Sequence, residues 1–345
     1  MADYVPLLAT VSRDLFRFFL LVEASRDSSR PGSLAKNWSS TSSPRAPLDK
    51  SVTFSMQVWG LSMKRIRIIH LTSYHYFEPV AFGRHRAMLR PREGHDVHIV
   101  SSRLKIEPAS SVRWYRDIYG NSIAIITFHE RARILNLHSE VDVDLYEDSP
   151  IDWVIDPVAS SYPFQYDASE QVDIVPYRLP SYPHDAPAMQ EWLLDLYRPG
   201  QTINTSQLLS NLNSRIYQSF RYIHRNEAGL QLPCRTMALG TGSCCDFAVF
   251  MMEAARHWGF AARFVTGNIQ MAEGQHGATH AWTEIYIPGA GWRGFDPTNN
   301  KPAGGEHVSV AVAREQEKAS PLSGSWEGPS NAFDRMEVSV QVVAI

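Results

Sequence analysis

Three residues near the C-terminal third of this 345-residue chain could act together in nucleophilic chemistry. From Gly240 to Asn299 the sequence reads GTGSCCDFAVFMMEAARHWGFAARFVTGNIQMAEGQHGATHAWTEIYIPGAGWRGFDPTN and presents Cys244, His280 and Asp296 in that order. A thiol, an imidazole and a carboxylate are the parts of a nucleophile, its general base and the group that orients the base. A cysteine alone is usually inert, a strand histidine is usually a satisfied polar group, and DPT is usually a turn. The weight lies on the three together, each at the edge of a recognisable element.

Those elements follow from the apolar spacing. Phe247, Met251, Ala254, Ala255 and Trp258 recur at intervals of three and four, predicting a buried helix from about Cys244 to His257 with Gly259 as its stop. Cys244 then sits on the first turn, where unpaired N–H groups and the helix dipole favour thiolate. One step along a helix turns the side chain by about 100°, so Cys244 and Cys245 cannot serve one site equally, and one of the two reads as a small buried hydrophobe. FAARFVTGNI reads as a strand and QMAEGQHG as an exposed loop. THAWTEIYI alternates, with His280, Trp282, Glu284 and Tyr286 on one face and Ala281, Thr283, Ile285 and Ile287 on the other. PGAG turns the chain and WRGFD returns antiparallel. A four-residue turn from Pro288 to Gly291 would put Asp296 opposite Thr283, out of register with His280, so a bulge or strand bend is expected to join them.

Further upstream the texture changes in blocks. Residues 1–62 include a Ser-, Pro- and charge-rich run from Arg26 to Lys50 that has too little apolar surface to offset its ordering entropy, and they read as a disordered extension, with a true start at Met63 conceivable. Residues 63–149 are short alternating or β-branched runs that predict a β-rich domain, with the clearest hairpin at RDIYGNSIAII, where Asp117 can bond back to the turn. Residues 150–187 recur in Pro and Tyr without a period and read as a connecting strap. Residues 188–345 form the domain that holds the three candidates together with the last strands. Its first helices carry Met189, Trp192, Leu193, Leu196 and Tyr197, then an Asn204–Gln207 capping box before Leu208, Leu212, Ile216, Phe220 and Ile223.

Composition narrows the function classes. With 33 basic against 36 acidic residues, no net field would gather nucleic acid or an anionic membrane, and no apolar run approaches the ~20 residues of a membrane span. Cys234, Cys244 and Cys245 are too few and too unevenly placed for a disulfide framework, which favours a reducing, cytoplasmic setting. His70, His75, His85, His95 and His98 match no metal-ligand spacing, and no acidic cluster reads as a calcium site, so neither metal nor cofactor is expected.

GSCCDFAVFMMEAARHWGFAARFVTG and THAWTEIYIPGAGWRGFDPTN, at this separation, resemble the core of the transglutaminase-like superfamily, whose members share a papain-like Cys-His-Asp triad. YHYFEPVAFGRHRAMLRPR and DIYGN resemble the N-terminal domain of its bacterial two-domain members, and EHVSVAVAREQEKASPLSGSWEG and MEVSVQVVAI their final strands. The resemblance covers roughly 66–345. It implies an α+β fold: a papain-like, transglutaminase-like core of helices packed on an antiparallel sheet, preceded by a β-sandwich-like domain. Carried over by position, the nucleophile falls on Cys244, the histidine on His280 and the acid on Asp296, and Asp246-Phe247-Ala248 matches as well. Asn268, where the family usually has tyrosine, and Cys245, where it usually has a polar residue, are departures. The implied chemistry is attack of Cys244 on an amide carbonyl and formation of a thioester. Water resolving it gives proteolysis or deamidation, and an amine gives transamidation. The implied partner is a peptide or protein with an amide or glutamine side chain. The Cys244 N–H is one oxyanion donor and Gln231 a candidate for the second, with Gln231, Asp246 and Trp282 as supporting residues. The alternative is a binding or scaffold module that keeps the fold without turnover.

Overall fold

Alternating apolar residues from Met63 onward build a long strand that organises the N-terminal half. The computed structural model describes residues 63–146, 153–225, 229–270 and 279–345. The N-terminal extension, the first residues of the strap and nearly all of the QMAEGQHG loop therefore lie outside the described residues. The N-terminal strands are β1 (Met63–Phe82), β2 (His85–Ala87), β3 (Val97–Glu107), β4 (Ser110–Arg116), β5 (Ser122–Phe128) and β6 (Ala132–Tyr146). Tyr76, Val80 and Leu137 from the β1–β6 sheet pack with Ala87, Ala124 and Ile126 from the β2–β5 sheet, making a two-layer β domain.

The β4–β5 turn folds as its residues dictate. Gly120 takes the left-handed φ of +76°, and the Asp117 carboxylate accepts from the N–H groups of Tyr119 and Asn121. Asn121, fully buried, also donates through Nδ2 to the Val312 carbonyl and accepts the Val312 N–H, which fastens this turn to the second half of the protein.

The strap is more structured than its sequence suggests. It carries a short strand β7 (Ser161–Tyr162) and helix α1 (Ala168–Arg178), capped by the Asp167 carboxylate accepting the Ser169 N–H. Helices α2 (Ala186–Leu193) and α3 (Thr205–Ser219) follow, the latter after β8 (Ile203–Asn204), which pairs with β7. Asn204 accepts the Gln207 N–H as an N-cap, but the Gln207 side chain bonds Asn211 instead of closing the box. Next come β9 (Arg221–Tyr222), α4 (Pro233–Leu239), β10 (Thr241–Gly242, parallel to β9) and α5 (Cys244–His257).

Behind α5 stands an antiparallel sheet of β11 (Ala261–Ile269), β12 (His280–Ile287), β13 (Gly291–Asp296), β14 (Lys301–Pro302) and β15 (His307–Ala313), in the order β14-β13-β12-β11-β15. Ala281, Ile285 and Ile287 of β12 share one core with Phe247, Phe250 and Met251 of α5 and with Leu208, Leu212 and Ile216 of α3. Thr283 is fully buried on that face and its hydroxyl donates to the Ala248 carbonyl of α5 at 2.6 Å. The last strands, grouped by sequence with residues 188–345, return to the first half: β16 (Leu322–Ser323) pairs with β2, β17 (Trp326–Glu327) with the end of β1, and β18 (Phe333–Ala344) runs antiparallel along β1 from Tyr76 to Ile66. Alternation identifies such a strand but carries no information about a partner some 260 positions away.

Candidate active site

Helix α5 begins where the sequence periodicity places it, and Asp246 explains how its first turn is held. This carboxylate, 1% exposed, accepts the Ser243 N–H and hydroxyl at 2.8 Å each, the Gln231 N–H at 2.9 Å and the Arg225 guanidinium at 2.7 Å. Three chain segments are thereby pinned to the residue two positions after Cys244. At the other end Gly259 takes φ +84°, the conformation expected of a helix stop.

Cys244 is buried, and its thiol is held well below the ordinary range. The largest cause is a hydrogen bond from the Cys245 thiol. Burial opposes the shift, and the His280 hydrogen bond and charge, with the Ala281 N–H, add to it. The same contact and burial push the Cys245 thiol well up. Cys245 is partly buried and its thiol acts on that of Cys244, so the two neighbours are electrostatically linked although they take different directions on the helix. All three cysteines are free thiols. Tyr222 of β9, unnoticed in the sequence, also lies by the pair, its hydroxyl raised first by burial and then by the two sulfurs.

His280 Nε2 lies 2.8 Å from Asp296 Oδ2, which leaves Nδ1 to face Cys244. Burial disfavours the charged ring, but the Asp296 and Cys244 hydrogen bonds outweigh it and raise His280 to about 9. Burial likewise works against an ionised Asp296, yet the His280 and His307 hydrogen bonds hold it far below the usual carboxylate range.

The expected bulge is not how the contact forms. The turn is one residue shorter than counted: Ile287 pairs with Gly291, and the ladder runs regularly to Thr283 opposite Phe295. Continuing it one step sets Asp296 opposite Trp282, on the face that His280 shares, within diagonal reach. Because side chains alternate with period two, a single residue of turn length decides which face Asp296 takes.

Trp282, 2% exposed, packs on this same face, its ring 6.2 Å from that of His280 and 5.1 Å from that of His307. Gly267 makes room for it, since a Cβ there would stand 2.4 Å from the Trp282 ring and 2.3 Å from the Val308 carbonyl. Asn268 is buried beside it. Gln231 is not an oxyanion donor: its Nε2 already donates to the Thr236 hydroxyl and the Thr241 carbonyl, and its contribution is the N–H given to Asp246.

Two further residues join the site that the sequence reading did not include. Asn299 Nδ2 donates to Asp296 Oδ2 at 2.7 Å, and His307 Nε2 lies 3.0 Å from the same oxygen. Asn299 could have been found from its place in DPTN, whereas His307 opens a strand that meets Asp296 only through the sheet. Among the described residues, His280, Asp296 and His307 are the group whose atoms could hold a metal, lying within 4.8 Å of one another. In the arrangement seen, both Nε2 atoms face the carboxylate, so a metal would require both rings to give up that proton. The N-terminal histidines form no such group among the described residues: His70 bonds Thr72 and His85 the Gly83 carbonyl. A cavity of about 360 Å³ lined by Arg92, Trp282, Glu284 and His307 lies on the sheet face turned away from α5, and Cys244 is not part of its lining.

Residues 199–297 match the transglutaminase-like superfamily and residues 66–144 the bacterial transglutaminase-like N-terminal region. An uncharacterized protein of Mycobacterium tuberculosis is 28% identical over 299 residues, spanning 81% of this chain and 92% of its own length. One of Mycobacterium leprae is 22% identical over 277 residues, 77% of this chain and 94% of its own. Among solved structures, a Cytophaga hutchinsonii protein provisionally described as a cysteine protease superposes with a TM-score of 0.63 at 20% identity, covering 82% of this chain and 91% of that one.

Proposed function

Because this chain carries a transglutaminase-like core behind a bacterial transglutaminase-like N-terminal domain, we propose that it is a thiol enzyme acting on amide bonds, with Cys244 as nucleophile, His280 as acid and base, and Asp296 as the orienting carboxylate. The observation that carries the reading is His280 Nε2 at 2.8 Å from the buried Asp296 carboxylate, with a thiol on the first turn of α5, Cys244, that His280 pulls down while it raises His280. The Cys244 thiolate attacks an amide carbonyl. The oxyanion that forms faces the Cys244 N–H, which as the first of its helix has no intrahelical partner. His280, protonated, gives its proton to the departing amine or ammonia and leaves a thioester on Cys244. Water, deprotonated by His280, or a second amine then releases the acyl group and restores the thiolate.

The substrate proposed is a peptide or protein amide, including a glutamine side chain. Three free cysteines suit a reducing compartment, and cytoplasmic placement is proposed on that ground. The test is incubation of wild type and Cys244→Ala with diverse peptides, with and without an added amine, followed by mass spectrometry. Cleavage, a gain of about 1 Da, or amine adducts would each assign one outcome of the shared acyl-enzyme. Turnover that persists in Cys244→Ala would overturn the assignment.

A further inference from the structure

We propose that His307 is a positioning residue of this site, fixing the Asp296 oxygen on which His280 depends; the inference rests on the functional reading above. His307 Nε2 stands 3.0 Å from Asp296 Oδ2, the same oxygen that His280 meets at 2.8 Å. The other carboxylate oxygen accepts the Thr298 and Asn299 N–H groups. Asp296 is fully buried and the His307 side chain 3% exposed, so bulk solvent competes little for these contacts.

The backbone around His307 selects the tautomer. The Gly304 N–H points at Nδ1 from 3.4 Å, so Nδ1 accepts and Nε2 carries the proton that Asp296 receives. The His307 N–H donates in turn to the Gly304 carbonyl at 2.7 Å, and the Trp282 ring meets the imidazole nearly edge-on at 76°. The ring is thus held by a tight turn on one side and an indole on the other. Burial keeps it neutral, with the His280 and Lys301 charges acting in the same direction and Asp296 opposing.

A neutral donor suits this place. His280 must carry a positive charge during the reaction, and a second cation with its ring 6.1 Å away would oppose that charge. A neutral N–H orients the carboxylate without this penalty and takes up part of its charge. The titratable groups that face the site are Cys244 and Cys245 from α5, Tyr222 from β9, His280 from β12, Asp296 from β13, Lys301 from β14 and Glu306, which pairs with Lys301 just before β15.

The test compares His307→Phe, which removes the donor, with His307→Gln, whose amide can replace it. His307→Phe is expected to lower kcat roughly 10-fold with KM little changed, as loss of an orienting partner does elsewhere. It should also move the alkaline limb of the kcat profile upward, because the Asp296 oxygen, then shared only with Asn299 Nδ2, binds the His280 proton more tightly. His307→Gln should stay within about 3-fold of wild type, with the limb in place. A merely structural role would lower activity at every pH without moving the limb. His307→Phe with wild-type kcat and limb, or His307→Gln as impaired as His307→Phe, would overturn the proposal. Nitrogen-15 NMR of the folded wild type decides the hydrogen bond independently of any variant: a neutral, Nε2-protonated ring is expected, and an Nδ1-protonated ring refutes it. Persistent turnover in Cys244→Ala would instead refute the functional reading, so the two failures are distinct.

Discussion

Replacing Asp296 by asparagine keeps the size of the side chain and removes its charge. His280 is raised from an ordinary 6.5 to about 9, a shift of about 2.5 units, or on the order of 3 kcal/mol of proton affinity. Burial opposes that rise, and the Asp296 hydrogen bond is the largest influence in its favour. Without the carboxylate, only Cys244 acts against burial, and His280 should return to about 6.5 or below. The sign follows directly: His280 keeps the proton it donates to the leaving group at pH values below its pKa and loses it as pH rises through that value. At pH 8, about 90% of wild-type rings remain protonated against about 3% in Asp296→Asn, a roughly 30-fold loss in kcat from protonation alone. Loss of tautomer control adds to it, and roughly 10³–10⁴ in total is the scale seen when the acid of a comparable triad is made an amide. The assay is the kcat profile from pH 5 to 10, paired with iodoacetamide alkylation of the thiol at pH 6, which needs no substrate and should slow as the ion pair weakens. An Asp296→Asn enzyme whose alkaline limb stays near 9 would refute the reasoning.

The remaining predictions concern the parts that hold the triad. Asp246→Ala removes the buried acceptor that the Gln231 and Ser243 N–H groups and the Ser243 hydroxyl share with Arg225, so chemical denaturation should show a loss of about 2–3 kcal/mol, together with slower alkylation of Cys244. Gly267→Ala drives a methyl group into the Trp282 ring and the Val308 carbonyl, and should destabilise by about 1–3 kcal/mol while lowering kcat; unchanged stability would mean that β11 and Trp282 can separate at little cost. Treatment with a chelator should leave turnover unchanged, because every step is assigned to Cys244, His280 and Asp296; abolished activity restored by a divalent metal would contradict this.

What could be read from the sequence divides by physical range. Helix α5 runs from Cys244 to His257 as its apolar spacing implies, and the two faces of β12 follow from strict alternation, because both patterns are set within a dozen residues. Register was harder, since it depends on whether the turn after Ile287 holds three residues or four, and Gly289 and Gly291, both at positive φ, permit either reading of PGAG. The pairing of β18 with β1, the helix within the strap and the approach of His307 to Asp296 were not readable, because each is decided by packing between distant segments. Gln231 failed as an oxyanion donor for a related reason: only the folded loop reveals that its amide already serves Thr236 and Thr241.

The central claim is a thioester on one particular sulfur. Intact-protein mass spectrometry after rapid acid quench, with an activated acyl amide as substrate and peptide mapping of the adduct, tests it most directly. The account predicts an acyl group on Cys244 that hydroxylamine removes and that is absent from Cys244→Ala. An adduct confined to Cys245, or continued turnover by Cys244→Ala, would contradict it.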